Sequence, residues 1–358
     1  MPADQPLPAD VARLVRPHLA NLKPYSSARH EYDWTEGKGQ AFLDANENPQ
    51  DLWGGGLNRY PDPEQLVLKE RLAELKGCEP EQIFLGSGSD EAIDLLIRAF
   101  CEPGADRILT LPPTYGMYRV QADIHGCGVD EVPLKEAAFQ PDVDAVLAAA
   151  GPHHKLLFLC SPNNPTGNLM QPDAVRALLA GFEGIVVLDE AYMDFAPGQS
   201  WLPALAKHPR LVILQTMSKA WALAGARLGM AYAQPGIIRL LNQIKYPYNV
   251  NALTLQAGSE AVFQHERVAQ ALERILAERS RLVQALPQLQ AVQHVYPSDA
   301  NFLLVRVGDA LGMYQHLRQQ GIVVRDRSHL PGCAGCLRIT IGTPAENDAL
   351  LEALAFNH

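Results

Sequence analysis

The stretch from 211 to 229, LVILQTMSKAWALAGARLG, combines a strand pattern with a reactive side chain. It opens on a continuous Leu- and Val-rich run, which is typical of strands buried on both faces of a parallel sheet. Lys219 follows this run closely, so we expect its amine in a low-dielectric environment that lowers its pKa and makes it nucleophilic. A surface lysine at a helix start is the structural alternative, but small and apolar residues surround Lys219.

Further strand-like runs alternate with helical patterns along the chain. The helical patterns cover 64–77, which ends at Gly77, and 89–100, where the apolar residues have helical spacing. The strand-like runs are QIFLG (82–86), RILTL (107–111), KLLFLC (155–160) and GIVVLDE (184–190). This alternation predicts an α/β fold with a mostly parallel sheet and crossover helices.

The C-terminal part of the chain has a different pattern. A long helical pattern covers 252–285, and the strand-like runs NFLLVRV (301–307) and CLRITIG (336–342) follow it. A length of 358 residues favours two domains. We therefore predict a large α/β domain over 41–250 and a smaller α+β domain that combines 251–358 with an N-terminal arm, 1–40.

Composition excludes several classes of partner. A net charge of −10 argues against binding to nucleic acid or to anionic membranes. No apolar run approaches the roughly 20 residues of a membrane helix, and the N-terminus lacks a signal-peptide pattern. The chain has six cysteines, and Cys333 and Cys336 form a C-x-x-C without a second pair or a histidine at zinc spacing. We expect a reduced, cytoplasmic protein without a metal site.

Asp189 and Tyr192 lie in IVVLDEAY (185–192), at the carboxyl end of a predicted buried strand. Ligands bind at this edge of open α/β sheets. A carboxylate there can pair with a protonated pyridine nitrogen, and Tyr192 can hydrogen-bond to an oxygen on the same ring. An aspartate that caps the next helix is the structural alternative.

Two loops add polar groups to this edge. Asn164 lies in SPNNPTG (161–167), where two prolines fix the loop; a plain Asn-Pro turn is the alternative. GSGSDE (86–91) precedes a predicted helix and could bind a phosphate at the helix N-terminus, although Ser89 or Asp90 could simply cap that helix. The same phosphate could contact Ser218 and Arg227.

Three further residues have two interpretations each. Tyr115, in LPPTYGMY (111–118), could stack on a cofactor ring or belong to the core. Arg325, in VVRDR (323–327), and Arg338, in CLRITIG, could each bind an anion through two hydrogen bonds. The alternative for both arginines is an ion pair, which for Arg325 could involve the adjoining Asp326.

Taken together, these motifs resemble the fold-type-I, class-II-type aminotransferases that depend on pyridoxal phosphate. The strings NENP, RYPDP, GSGSDE, PPTYGMY, SPNNPTG, DEAY, SKA, LAGARLG and CLRITIG occur in that family's order. KPYSSAR (23–29), LDANENP (43–49), LNRYPDP (57–63) and VVRDR are similar to the histidinol-phosphate aminotransferase family in particular. The resemblance implies a large, mostly parallel-sheet α/β domain and a smaller α+β domain.

The resemblance also implies roles for the residues that hold the cofactor. Lys219 would form the Schiff base and move the proton, and Asp189 would pair with the pyridine nitrogen. The ring would contact Tyr192, Asn164 and Tyr115. The cofactor phosphate would contact Ser89, Asp90, Ser218 and Arg227, together with Tyr60 from the second subunit of a homodimer.

For the substrate, the resemblance implies anion binding by Arg338, Arg325 and Tyr25, and pocket positions for Asn46, Asn164 and Tyr248. The stretch KYPYNVN (245–251) departs from the family's common pattern around Tyr248. The implied reaction is transamination of L-histidinol phosphate with 2-oxoglutarate, which belongs to histidine biosynthesis. Alternatives on the same scaffold are an aromatic-amino-acid aminotransferase, a threonine-phosphate decarboxylase and a non-catalytic binding protein.

Overall fold

The computed structural model describes residues 7–20, 22–23, 41–136 and 138–355. Helices and strands alternate through most of these ranges. The α-helices are α1 Ala9–Ala12, α2 Leu66–Lys76, α3 Ser89–Phe100, α4 Met117–Ile124, α5 Val143–Ala149, α6 Pro172–Gly181, α7 Pro235–Ile244, α8 Ala252–Phe263, α9 His265–Ala285, α10 Ala310–Gln319 and α11 Pro344–Ala355. The strands are β1 Ile83–Ser87, β2 Arg107–Thr110, β3 Gly128–Glu131, β4 His154–Cys160, β5 Ile185–Asp189, β6 Leu211–Thr216, β7 Leu228–Tyr232, β8 Val292–Val295, β9 Phe302–Val307, β10 Arg325–Asp326 and β11 Cys336–Thr340.

The larger sheet has seven strands in the order β1-β7-β6-β5-β4-β2-β3. The pairs from β6 to β3 are parallel, whereas β7 runs antiparallel to both β6 and β1. Each of the strand-like runs predicted for this region forms one of its strands. The predicted fold class, a mostly parallel α/β sheet, is therefore confirmed.

Apolar side chains cover both faces of this sheet. Along β5, Val187 belongs to one core, while Val186 and Leu188 belong to the core on the opposite face. Successive residues of a strand point to opposite faces, so a strand between two cores must be apolar throughout. The continuous apolar runs of the sequence follow from this double burial.

The second sheet has four antiparallel strands in the order β10-β11-β9-β8. A separate core joins it to α10, α11 and the end of α9. The predicted long helix over 252–285 is two helices, α8 and α9, which meet at Gln264. The limits predicted for the two domains stay a prediction.

The N-terminal segment packs on the larger sheet's side of the molecule. Val11, Leu14, Val15 and Leu19 join the core that also contains α3 and α7, and Arg16 pairs with a glutamate just after α3. This packing differs from the predicted grouping of residues 1–40 with the small domain, because the apolar face of this segment meets the larger sheet's helices. Within the described ranges, no helix has the length and apolarity to cross a membrane.

Candidate active site

A pocket of about 510 Å³ opens at the carboxyl ends of β4, β5 and β6. These strands are parallel, so the loops that follow them meet at one edge of the sheet. The pocket is lined by Ser89, Asp90, Tyr115, Cys160, Asn164, Asp189, Ala191, Tyr192, Thr216, Ser218, Lys219 and Arg227. The structure thus brings together nine residues that the sequence analysis selected.

Asp189 is the last residue of β5 and is buried. Its carboxylate accepts hydrogen bonds from the hydroxyl of Tyr118 at 2.7 Å and from the backbone N–H of Ala191 at 3.0 Å. Burial raises the pKa of Asp189 to about 6. Among the described residues, no cationic side chain lies within ion-pair distance of this carboxylate, so a positively charged ligand atom would stabilise it.

Tyr118 is a residue that the sequence analysis missed. It lies in the first turn of α4, and its fully buried ring stacks on Phe158 with the ring centroids 4.5 Å apart. This packing aims the hydroxyl at Asp189. The sequence held no local signal for this contact, because Phe158 and Asp189 lie 40 and 71 positions from Tyr118 along the chain.

Lys219 lies just beyond β6, and its side chain is open to the pocket. Its Nζ is 5.7 Å from the centre of the Tyr192 ring. Partial desolvation lowers the pKa of Lys219, and the positive charges of Arg338 and Arg227 lower that pKa further. The amine is therefore neutral, and nucleophilic, in a larger fraction of molecules than an ordinary lysine at the same pH.

A chain of hydrogen bonds joins the two sheets across the pocket. The amide Nδ2 of Asn164 donates to the Tyr192 hydroxyl at 3.3 Å, and Nη1 of Arg338 donates to Oδ1 of Asn164 at 2.5 Å. Arg338 belongs to β11 of the second sheet, whereas Asn164 follows β4 of the first. The second sheet therefore sets the orientation of an amide in the pocket.

The opposite wall has the features of a phosphate site. Helix α3 begins at Ser89, and its N-cap is Gly88 without a side-chain cap. The capping role considered for Ser89 and Asp90 is therefore not what the structure shows. Arg227 lies beside this helix start, where Nη1 donates to Oγ of Ser218 at 3.3 Å and Nη2 is 3.5 Å from Oδ2 of Asp90. Free N–H groups at a helix start, a guanidinium and a hydroxyl together suit a phosphate.

Tyr115 lies between these two walls. Its hydroxyl donates to Oδ1 of Asp90 at 3.0 Å, and its ring meets that of Tyr118 edge to face, with centroids 5.6 Å apart. The ring lines the pocket. Its predicted stacking on a cofactor ring stays a prediction.

Other predicted residues lie outside the pocket lining. The rings of Tyr60 and Tyr248 stack on each other with centroids 4.4 Å apart, and Tyr60 is 47% exposed. Asn46 is exposed, with a left-handed backbone at φ 56°. Arg325 is exposed and lies opposite Arg338 in the β10–β11 ladder. Tyr25 lies outside the described residues.

Residues 31–354 match the family described as aminotransferase class I and II, and this match defines the class of enzyme. The chain is 53% identical to the histidinol-phosphate aminotransferase of Parabacteroides distasonis, over 96% of this chain and 98% of that relative. It is 50% identical to the enzyme of the same name from Cytophaga hutchinsonii, over 95% of this chain and 97% of the relative. The chain belongs to the histidinol-phosphate aminotransferase family.

Solved structures agree with this placement. The histidinol-phosphate aminotransferase of Sinorhizobium meliloti, solved in complex with pyridoxal-5'-phosphate, aligns with a TM-score of 0.78 at 27% identity, over 84% of this chain and 83% of that one. The L-threonine-O-3-phosphate decarboxylase of Porphyromonas gingivalis aligns at 0.70 and 23% identity, over 83% and 90% of the chains, which shows a shared fold. The predicted family, fold type and enzyme class are confirmed.

Proposed function

We propose that this chain catalyses amino-group transfer between L-histidinol phosphate and 2-oxoglutarate, with pyridoxal phosphate as its cofactor. In the biosynthetic direction, imidazole acetol phosphate accepts the amino group of L-glutamate, a step of histidine biosynthesis. The observation that carries this proposal is the meeting of an amine, a buried carboxylate and an anion site in one pocket of this family's fold. The six cysteines are free thiols, which supports the cytoplasm as the compartment.

The residues of the pocket fit pyridoxal phosphate. Asp189 is a buried carboxylate that a protonated ring nitrogen would stabilise. Arg227, Ser218 and the start of α3 suit the phosphate, and Lys219 is the amine that would hold the cofactor covalently. When bound, pyridoxal phosphate supplies an electron sink for the charge that develops at the substrate Cα.

Four residues around the cofactor would transfer the proton, keep the ring protonated and orient the ring. Nζ of Lys219 would take the proton from the substrate Cα and hold it as the ammonium, and its lowered pKa favours the base form that this step needs. The Asp189 carboxylate keeps the ring nitrogen protonated, while Tyr118 and the Ala191 N–H fix the carboxylate in place. Tyr192 and Asn164, which are hydrogen-bonded to each other, would donate hydrogen bonds to the ring oxygen of the bound cofactor.

Arg338 and Arg325 bind the anionic groups of the two substrates. A planar guanidinium donates two parallel hydrogen bonds to a carboxylate or to a phosphate. One pair of arginines can therefore bind glutamate and histidinol phosphate in turn. The cross-strand pairing of Arg325 with Arg338 supports a shared role. Tyr25, Asn46 and Tyr248 complete the proposed substrate set.

A homodimer completes the proposed site. Val67 of α2 and Leu253 and Phe263 of α8 are exposed apolar residues on two helices that contact each other, and Trp53 and Tyr246 are exposed as well. Exposed apolar patches of this kind mark protein interfaces, and a two-fold dimer buries the same patch on both subunits. Tyr60 is itself exposed and precedes α2 by six positions, and in this proposal it reaches the phosphate of the second subunit's cofactor.

A labelling experiment and a substrate panel test the proposal. Borohydride reduction of the holoenzyme, followed by peptide mapping, should place the cofactor on Lys219; a label on another residue, or none, would contradict the assignment. The panel compares histidinol phosphate with phenylalanine and tyrosine as amino donors to 2-oxoglutarate. Release of CO2 from threonine phosphate without amino transfer would identify a decarboxylase instead.

A further inference from the structure

Arg327 directly follows β10 and adds a third arginine to Arg325 and Arg338. Arg325 pairs with Arg338 in the antiparallel ladder, and the backbone N–H of Arg327 donates to the carbonyl of Cys336 at 2.9 Å, which continues that ladder by one residue. Side chains two positions apart on a strand share a face and lie about 7 Å apart. Arg325, Arg327 and Arg338 therefore lie on the same face of the second sheet.

The intervening acid, Asp326, is only a partial counterion: it makes no ion pair with these arginines among the described residues, and its charge offsets only in part the lowering of the Arg327 pKa by burial and by Arg325. Asp326 pairs with Leu337 in the ladder and so points to the opposite face. Its carboxylate accepts hydrogen bonds from the backbone N–H and the hydroxyl of Ser328, at 2.8 and 2.6 Å. The ion pair considered for Arg325 and Asp326 is not among the ion pairs of the described residues.

The positive charge of this cluster lacks a full protein counterion. Among the described residues, Arg325, Arg327 and Arg338 make no ion pair, and the buried Nε of Arg327 has no hydrogen-bond partner. Burial lowers the pKa of Arg338, and the charges of Arg327 and Arg325 lower that pKa further. Buried donors are normally paired, and an uncompensated buried charge is unfavourable. A bound anion would satisfy the free Nε of Arg327 and offset the positive charge of the three arginines.

The number of positive charges in the arginine cluster indicates whether its ligand is a carboxylate or a phosphate. A carboxylate has one negative charge and two oxygens, which a single guanidinium satisfies. A phosphate monoester near neutral pH carries a charge of about −1.5 to −2 and three terminal oxygens. A cluster of three guanidinium groups matches the phosphate better than the carboxylate.

We propose that Arg327 is a specificity-determining residue that binds the substrate phosphate beside Arg325 and Arg338. This role rests on the proposed function, since it assumes that the site beside Tyr192 takes the substrate. Arg338 and Arg325 bind either anion, whereas Arg327 contributes only when a phosphate group is present. The cluster thereby favours histidinol phosphate over glutamate analogues and over aromatic amino acids with uncharged side chains.

Arg327→Gln removes the charge at nearly constant volume and tests this role in the holoenzyme. We expect the KM for histidinol phosphate to rise about 10- to 100-fold, as for the loss of a hydrogen bond to a charged group. The half-reaction with glutamate, followed by the absorbance of the bound cofactor, should change by less than about 3-fold because a carboxylate does not need the third guanidinium. Inhibition by inorganic phosphate should weaken in parallel with the KM.

Two further variants make the result specific. Arg318→Gln removes an exposed arginine from α10 of the same region, and it should leave both substrates unchanged. Arg327→Lys keeps the charge without the planar fork, and it should fall between the wild type and Arg327→Gln. If Arg327→Gln does not fold, as judged by its cofactor absorbance, Arg327→Lys alone gives the comparison of the two substrates.

The outcomes separate this role from the proposed function. Equal losses for histidinol phosphate and glutamate, or no loss for either, would overturn the assignment of Arg327 in an enzyme that still transaminates histidinol phosphate. A wild-type enzyme that ignores histidinol phosphate would overturn the proposed function. In that case, weaker inhibition by inorganic phosphate in Arg327→Gln would still support the phosphate-binding role.

Discussion

At the scale of single residues, Asp189 opposes the stability of the protein that contains it. Burial raises its pKa from 3.8 to about 6, so the ionised form is disfavoured in the folded state. The contribution of Asp189 to stability is therefore most favourable where its carboxyl is protonated in both the folded and the unfolded state. This contribution falls as the pH rises from 3.8 to 6. Above pH 6 the destabilisation amounts to about 3 kcal/mol, at roughly 1.4 kcal/mol per pKa unit. A cationic ligand beside the carboxylate would offset it.

Asp189→Asn should therefore stabilise the cofactor-free protein while it impairs transamination. We expect the difference in the free energy of unfolding to grow from under about 1 kcal/mol near pH 4 to about 2–3 kcal/mol above pH 7, since only the wild type ionises. Urea unfolding at both pH values measures this difference. A difference that does not change with pH would show that desolvation of the carboxylate is not its cause.

Tyr118→Phe removes the hydroxyl that donates to Asp189. We expect a loss of about 1–3 kcal/mol near pH 7.5 and a smaller loss near pH 5, because a hydrogen bond to an ionised group is the stronger one. Tyr232→Phe is the matched control, since Tyr232 is also fully buried but its hydroxyl has no partner among the described residues. Equal losses in the two variants, measured by urea unfolding, would contradict the role of Tyr118.

At the scale of secondary structure elements, the start of α3 depends on a glycine. Gly88 has a φ of 74°, and a Cβ there would lie 2.6 Å from Nη2 of Arg227. Gly77, which ends α2, has a φ of 69° but open space around its Cα. Gly77 has a ψ of 42°, in the left-handed helical region, whereas Gly88 has a ψ of 168°, in a region that essentially only glycine adopts. A methyl group at Gly88 would also displace Arg227, whereas one at Gly77 would displace nothing.

Gly77→Ala should cost about 1 kcal/mol of stability through left-handed backbone strain, and Gly88→Ala about 1–3 kcal/mol, because its backbone lies in a region that essentially only glycine adopts. Only Gly88→Ala should weaken the binding of pyridoxal phosphate, by about 10-fold or more, because it moves Arg227 away from the helix start. Titration of the cofactor-free variants with pyridoxal phosphate measures this. Equal affinities in the two variants would argue against a phosphate site at α3.

The sequence predicts β1 and the parallel interior strands of the larger sheet, but it predicts neither the edge strand β3 nor the antiparallel β7. Double burial makes β4, β5 and β6 continuously apolar, and that pattern is local. Strand β7, LGMAY (228–232), was not predicted, because Gly229 and Ala231 stand where a strand pattern would have branched or aromatic residues. Its place between β1 and β6 depends on pairing across more than 140 positions of sequence, which no local pattern encodes.

The same limit applies to the pocket. Residues in motifs that follow strands, such as Lys219, Asp189 and Asn164, were predictable. The carboxyl ends of parallel strands lie at one edge of the sheet, so the residues that follow them lie close together. Tyr118 and Arg327 were not, because their relevance depends on packing against Phe158 and on the β10–β11 register. Tyr60 and Tyr248 form a stacked pair that the motifs did not indicate.

At the scale of the whole molecule, we propose that the active site is shared between two subunits. Tyr60 is exposed, stacks on Tyr248 and does not line the pocket of its own chain. Its main-chain N–H donates to Glu47, which fixes the loop that carries it. A tyrosine held on the surface is well placed to act on a second copy of the chain.

Hybrid dimers test whether Tyr60 acts across the interface. Lys219→Ala and Tyr60→Phe homodimers should both be impaired, the first by loss of the amine and the second by weaker cofactor binding. In a hybrid of the two, one site combines an intact Lys219 with the Tyr60 of the other subunit, and that site should restore about half of the wild-type activity per dimer. If Tyr60 acted within its own subunit, neither site of the hybrid would be intact. Co-expression with two affinity tags isolates the hybrid, and activity at limiting pyridoxal phosphate no higher than the mean of the two homodimers would refute a shared site.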